Sequence, residues 1–230
     1  MADEHEHSHD DEPAHDPDHE GHAHGEHDHE HHAHDHEHDH EHDHDDEHRE
    51  LTEAEIERRD EQVRRAALAQ IRQYPDVALR MKAKEVTEFD EFLMQLVERM
   101  IHLMGDAQGV GLAATQVGVL QRVFVFSHDE NATQAIVNPR IVDPSTEKET
   151  EEEGCLSLEG VRVPVERSTR VTLEGVDPSG EAVKLELEGL SARVVQHEFD
   201  HLDGVLIIDR TDAEHRSEAL GLLRPQAVLR

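Results

Sequence analysis

Residues 1–48 alternate histidine with aspartate and glutamate and contain almost nothing apolar, so any core must come from the residues that follow. Such a stretch cannot bury enough surface to offset the entropy of ordering it, and it is expected to be disordered. The first fifty residues hold 18 of the 23 histidines and 21 of the 55 acidic residues, against one basic residue, Arg49. The formal charge of −33 is therefore concentrated in the tail, and the remaining 180 residues are long enough for one domain with a sizeable core. Neither part carries a basic patch suited to a phosphate backbone, which argues against nucleic acid as a partner.

A single cysteine, Cys155, excludes an internal disulfide framework and suits a reducing compartment. The N-terminus lacks the basic start and apolar stretch of a signal peptide, and no apolar run approaches the roughly 20 residues that span a bilayer. The expectation is a soluble, cytoplasmic protein without a membrane partner.

Apolar periodicity divides the body. Thr52 with Glu55 forms a capping-box pattern before a loose stripe of Ile56, Val63, Ala67, Leu68 and Ile71, which predicts a helix over 52–73. The clearest helix is 87–104, with Thr87 as its cap and Phe89, Phe92, Leu93, Leu96, Val97, Met100, Ile101 and Met104 at three- and four-residue spacing. Strand-like runs follow at Arg122–Ser127, Ala135–Val142, Arg162–Val165, Thr169–Val176 and Ala182–Leu187. A second helix is predicted from Leu190 to about Asp203, then an extended apolar Val205–Ile208 and a short helix over 212–222. Helix, strands, helix in that order argue for an α+β fold rather than a wound parallel sheet.

His197-Glu198-Phe199-Asp200-His201 is an HExxH pattern, which on a helix brings both imidazoles to one face with a carboxylate beside them. The pattern alone is weak, because His5–His9, His36–His40 and His40–His44 match it inside the low-complexity tail. Only the match at 197–201 lies among apolar positions (Leu190, Val194, Val195, Phe199, Leu202) that imply a packed helix. The competing reading is a pair of surface histidines. A catalytic ion needs a third protein ligand and an open position. One class of HExxH enzymes has a histidine where this chain has Ile207. Another uses a downstream glutamate, for which Glu214 and Glu218 are the candidates. Cys155 is the remaining option, although a lone cysteine is usually a small buried hydrophobe. Gly154 before it permits close backbone approach.

Three segments together resemble the peptide deformylase family: Gly109-Val110-Gly111-Leu112-Ala113-Ala114-Thr115-Gln116, Glu153-Gly154-Cys155-Leu156-Ser157, and Gln196-His197-Glu198-Phe199-Asp200-His201-Leu202-Asp203-Gly204. Weaker similarity extends the likeness over about residues 68–210. Two departures stand out. Glu159 occupies a position where the family often has proline, and Val77 follows Asp76 where it often has another. The resemblance implies antiparallel β-sheets packed around a central helix carrying HExxH, preceded by an N-terminal helix. It divides the chain into a tail (1–48), a helical linker (49–66), a catalytic domain (67–212) and a C-terminal extension (213–230).

The same resemblance implies a site. One divalent ion per chain would sit on Cys155, His197 and His201; it is similar to the family's ferrous iron, with Zn2+, Ni2+ or Co2+ accommodated. Glu198 would take a proton from the water that the ion acidifies, and later return it to the leaving amine. The Gln116 side-chain amide and the Leu156 backbone N–H would stabilise the charge growing on the formyl oxygen, each worth roughly 3–4 kcal/mol in comparable sites. Read from the sequence alone, Gln116 is also open to a plainer role, bonding its own turn. Gly109, Val110, Gly111, Gly154 and Arg162 would line an extended peptide, and Glu153 with Arg167 would brace the site from behind. The implied substrates are N-formylmethionyl peptides, met at the ribosome exit. A general HExxH peptidase and a metal-storage protein are the competing classes. The tail adds a separate expectation: its interleaved imidazoles and carboxylates suit divalent metal ions, against the alternative of a solubilising segment.

Overall fold

The computed structural model describes residues 51–129 and 132–223; the tail read over 1–48 lies outside the described residues. Helix α1 (Glu53–Leu68) starts where expected, with the Thr52 backbone N–H donating to the Glu55 carboxylate at 2.9 Å. It ends earlier than the apolar pattern suggests. Only Ala67 and Leu68 of the helix are buried, while Ile56 and Val63 stay exposed, so tertiary packing supports only its last turn. Helix α2 (Glu91–Asp106) is capped by Asp90, whose side chain accepts from Leu93 N–H at 3.0 Å, rather than by Thr87. Its buried stripe is Leu93, Leu96, Val97, Met100, Leu103 and Met104; Phe89 precedes it and Phe92 is exposed.

Seven strands follow among the described residues: β1 (Gly111–Ala113), β2 (Val123–Asp129), β3 (Ala132–Val142), β4 (Lys148–Gly154), β5 (Arg162–Ser168), β6 (Arg170–Val176) and β7 (Ala182–Glu188). They form a five-stranded antiparallel sheet in the order β1-β2-β3-β6-β7 and a separate antiparallel pair, β4-β5. The mixed, antiparallel architecture agrees with the α+β expectation. Two strands escape the sequence reading. β1 has three residues, and β4 (Lys-Glu-Thr-Glu-Glu-Glu-Gly) has no apolar alternation because it buries only Glu153.

The run Val123-Phe124-Val125-Phe126 in β2 is buried on both faces, and the two-residue period sorts it. Val123 and Val125 join the α2 side chains and Leu112 in one core, while Phe124 and Phe126 join Ile136, Leu173 and Leu187 in another. Helix α3 (Gly189–Leu202) packs Ala192, Val195 and Leu202 into that second core and also touches β5 of the smaller sheet. Beyond it, Ile207–Arg210 is a short helix, α4, not the extended segment predicted over Val205–Ile208. Its N-terminus is held by Asp209, whose side chain accepts from Leu206 N–H at 2.9 Å and pairs with Arg80. Local capping thus overrides a run that reads as strand by composition. Helix α5 (Ala213–Leu222) closes the described chain with Asp212 as cap. No helix among the described residues is long and apolar enough to cross a membrane.

Candidate metal centre

α3 carries the HExxH pattern on its last turns, and the helical period brings His197 and His201 side by side. Their Nε2 atoms are 3.2 Å apart, and the Cys155 Sγ lies 3.3 Å from His201 Nε2. All three donor atoms fall within 4.8 Å of one another, and they are the only such group among the described residues. An ion about 2.0–2.1 Å from each nitrogen and 2.3 Å from sulfur, at tetrahedral angles, requires spacings of roughly 3.3–3.6 Å. The donor set therefore fits one divalent ion. Ile207 is buried in a separate core at the start of α4, and Glu214 and Glu218 are exposed on α5, so neither alternative supplies a third ligand.

The imidazole tautomer of His197 is set from behind. Its Nδ1 sits 3.0 Å from the Glu153 carboxylate, which makes Nδ1 the donor and leaves Nε2 free to bind. Glu153 in turn accepts two hydrogen bonds from Arg167 and one from Arg193, each 2.9 Å long. Burial works to raise the Glu153 carboxyl, but the hydrogen bonds from His197 and Arg167 and the Arg167 charge hold it down at about 2. Arg167 reaches on to Asp200 at 2.5 Å, and Asp200 also accepts from Arg210. The sequence reading anticipated Glu153 and Arg167 but missed Arg193, Asp200 and Arg210. Arg193 and Asp200 leave only the signal of charges set among the apolar positions of α3, and the exposed Arg210 at the end of α4 leaves none.

Burial pushes His201 well below the ordinary imidazole value, toward the neutral form a ligand needs. Burial acts the same way on His197, yet its hydrogen bonds to the Cys155 sulfur and Glu153 raise it well above that value. Glu198 is 3% exposed, and its Oε2 has no hydrogen-bond partner among the described residues. Burial lifts its carboxyl to about 7; the His197 charge opposes the shift and the Glu153 charge adds to it. Gly111 makes room for this side chain: a Cβ there would collide with the carboxylate, lying 2.8 Å from its Cδ.

Gln116 is buried in the 3-10 turn Ala114–Val117 after β1. Its Oε1 accepts from Ala113 N–H at 2.8 Å, so it does bond its own turn. That bond orients the amide nitrogen outward, 3.1 Å from Ser157 Oγ and 3.7 Å from Cys155 Sγ. The two readings of Gln116 are thus compatible. Leu156 follows Cys155 directly, its carbonyl fixed by Gln73 Nε2 at 2.8 Å. Gly109, Val110, Gly111, Gly154, Arg162, Gln116, Cys155, Leu156, His197 and Glu198 all line one cleft of about 620 Å3. At Gly154 a Cβ would meet nothing closer than 3.7 Å, so close packing is not what calls for glycine there.

A cysteine sulfur and two imidazoles gathered within reach of one ion, beside a buried carboxylate that lines a cleft, are the donor set of a metal-dependent hydrolase. A family model for polypeptide deformylase matches residues 68–217. The peptide deformylase of Thermotoga neapolitana is 53% identical over 140 residues, covering 61% of this chain and 85% of that protein. Peptide deformylase 1 of Corynebacterium glutamicum is 46% identical over 165 residues, 70% of this chain and 97% of that one. Among solved structures, the Thermotoga maritima peptide deformylase superposes with a TM-score of 0.60 at 51% identity, covering 62% of this chain and 96% of that one. An inhibitor complex of the Plasmodium falciparum enzyme gives 0.62 at 37%, covering 66% and 96%. The chain belongs to the polypeptide deformylase family.

Proposed function

We propose that this chain removes the formyl group from the N-terminal formyl-methionine of newly made proteins and releases formate. The observation that carries the reading is the convergence of Cys155, His197 and His201 beside a buried Glu198 whose Oε2 has no hydrogen-bond partner among the described residues, with Cys155, His197 and Glu198 lining one cleft. Cys155, His197 and His201 are assigned as the ligands of one divalent ion, Fe2+ in the native enzyme, with Zn2+, Ni2+ and Co2+ as workable substitutes. When bound, the ion acidifies water and polarises the formyl carbonyl.

The remaining work belongs to side chains. Glu198 accepts the proton of the attacking water and delivers it to the departing amine; a pKa near 7 before an ion binds places it close to the working range. Gln116 Nε2, held by its Ala113 bond, and the Leu156 N–H donate to the formyl oxygen as it gains charge. Gly109, Val110, Gly111 and Gly154 take the peptide main chain in extended form, and Arg162 meets it further out. α3 serves as the central helix between the two sheets, within a catalytic domain of residues 67–212 flanked by the linker 49–66 and the extension 213–230. The substrate is met in the cytoplasm, at the ribosome exit.

Formate release from formyl-Met-Ala-Ser by the metal-loaded chain tests the activity. Cleavage of internal peptide bonds without formate would favour a general peptidase, and inert protein that only binds metal would favour storage. We assign the 1–48 tail a metal-buffering role. Deleting it should lower metal occupancy in metal-limited cells, and unchanged occupancy would sink that role. An iron-loaded site should lose activity faster in air than under nitrogen, whereas equal half-lives would count against iron.

A further inference from the structure

We infer that Arg64 sets substrate preference at the cleft mouth, favouring formyl-methionyl peptides with a carboxylate side chain a few residues downstream. The inference rests on the deformylase reading and extends it to choice among substrates. Arg64 lies on α1 one helical turn before Leu68, so the two share a face of the helix. Leu68 is buried in the core with α2, and both residues line the 620 Å3 cleft. The family match begins at residue 68. Arg64 is thus part of the cleft wall supplied from outside the family region.

Facing it is Glu159, the position where proline is the family's habit. Arg64 and Glu159 approach to 3.9 Å, and Arg64 also lies 3.8 Å from Glu61 of its own helix. Both separations are ion-pair distances too long for hydrogen bonds. The Arg64 side chain is 31% exposed and that of Glu159 is 60% exposed. A guanidinium held this loosely keeps its planar fork of donors available, and that fork matches a carboxylate with two parallel bonds. A peptide carboxylate can therefore replace Glu159 in front of Arg64 without breaking a good bond. The other cations of the wall differ in what they offer. Arg193 is committed to Glu153, whereas Arg162 is exposed and adds positive charge; exposed Glu152 opposes it.

The test measures formate release by the full-length, metal-loaded enzyme from formyl-Met-Ala-X-Ala with X as Glu, Ala or Lys. The wild type should show a KM about two- to fivefold lower for Glu than for Lys, with similar kcat, and the ratio should shrink in high salt. Arg64→Glu should invert the order, and Arg64→Lys should keep its direction with a smaller ratio. Glu159→Gln should widen the preference because the competing carboxylate is gone. Arg59→Glu makes the same change of net charge on α1 at a side chain 63% exposed, and it should leave the ratio as in the wild type. A Glu-to-Lys ratio that is the same in the wild type and Arg64→Glu overturns the inference, as does an equal effect from Arg59→Glu. No formate from any of the peptides overturns the deformylase reading itself.

Discussion

Replacing Glu153 by glutamine should cost this protein both stability and metal affinity, and the structure sets the size of each loss. The carboxylate is 6% exposed and accepts from Arg167, Arg193 and the His197 ring. The amide keeps the shape but removes the charge, leaving two buried guanidinium groups short of a partner. Breaking a buried pair from one side typically costs about 3–5 kcal/mol. The lowering of the Glu153 carboxyl is of similar size, since a shift from 4.5 to about 2 corresponds to about 3 kcal/mol. Because the folded-state pKa is lowered, this stabilisation is fully present above pH 4.5 and is lost as pH falls toward 2. The stability gap between wild type and Glu153→Gln in urea unfolding should therefore be largest at neutral pH and narrow below pH 4.5. The glutamine carbonyl is also a weaker acceptor for His197 Nδ1–H, so divalent-ion affinity should fall about 10- to 100-fold. A gap under 1 kcal/mol at pH 7, or one that does not change with pH, would refute the reasoning.

Other perturbations separate the roles within the site. Glu198→Gln should lower kcat by about 10²–10⁴ while ion affinity by calorimetry changes little; full turnover would remove it as the proton carrier. In the loaded wild type, kcat/KM should fall with decreasing pH along a limb lying below 7, because a bound cation lowers the Glu198 pKa from the value of about 7 that burial sets. A limb above 7 would contradict this. Cys155→Ala should weaken ion binding by more than the 10- to 100-fold typical of losing an outer partner, read by competition with a chelator. Gly111→Ala should drive the Glu198 carboxylate aside and lower kcat about 10²-fold at unchanged ion affinity, since misplacement by about 1 Å has that effect.

The site was far more legible in the sequence than the strands that hold it. His197 and His201 are readable as a pair because the HExxH spacing is fixed by the helical period, and Cys155, one option among several by residue type, was reached through the resemblance. Gln116 was readable only through its motif; its spacing from the other residues says nothing of a carbonyl held by Ala113 and an amide turned toward Ser157. β4 was illegible because its inward residue is a glutamate, so hydrophobic alternation never appears. Val205–Ile208 misled for the opposite reason: its apolar residues are buried, but the cap from Asp209 winds the second half into a helix. Arg167 was reached as a partner of Glu153 only through the resemblance, and Arg193 was missed, since an arginine in a helix reads as solvated until its neighbour across the fold is known.

α3 explains why those arginines are needed. Its residues fall into three stripes by the helical period. Ala192, Val195 and Leu202 face the five-stranded sheet and pack by apolar burial. Glu198 and His201 belong to the face near β1 and the following turn, where Gly111 and Thr115 approach them. Arg193 and Asp200 point to the smaller sheet, and there the fastening is ionic: Arg193 to Glu153 on β4, Asp200 to Arg167 on β5. β4 buries no apolar side chain and cannot be seated by the hydrophobic effect, yet it delivers Cys155 to the histidines one residue past its end. Its lateral position is fixed by pairing with β5, whose Val163 and Val165 are buried, and its approach to α3 by the charges around Glu153. Replacing the whole charged network by apolar side chains of similar volume would be tolerated by the fold more readily than by the site. Only a carboxylate at position 153 both ties β4 to α3 and sets the His197 ring with Nε2 toward the Cys155 sulfur.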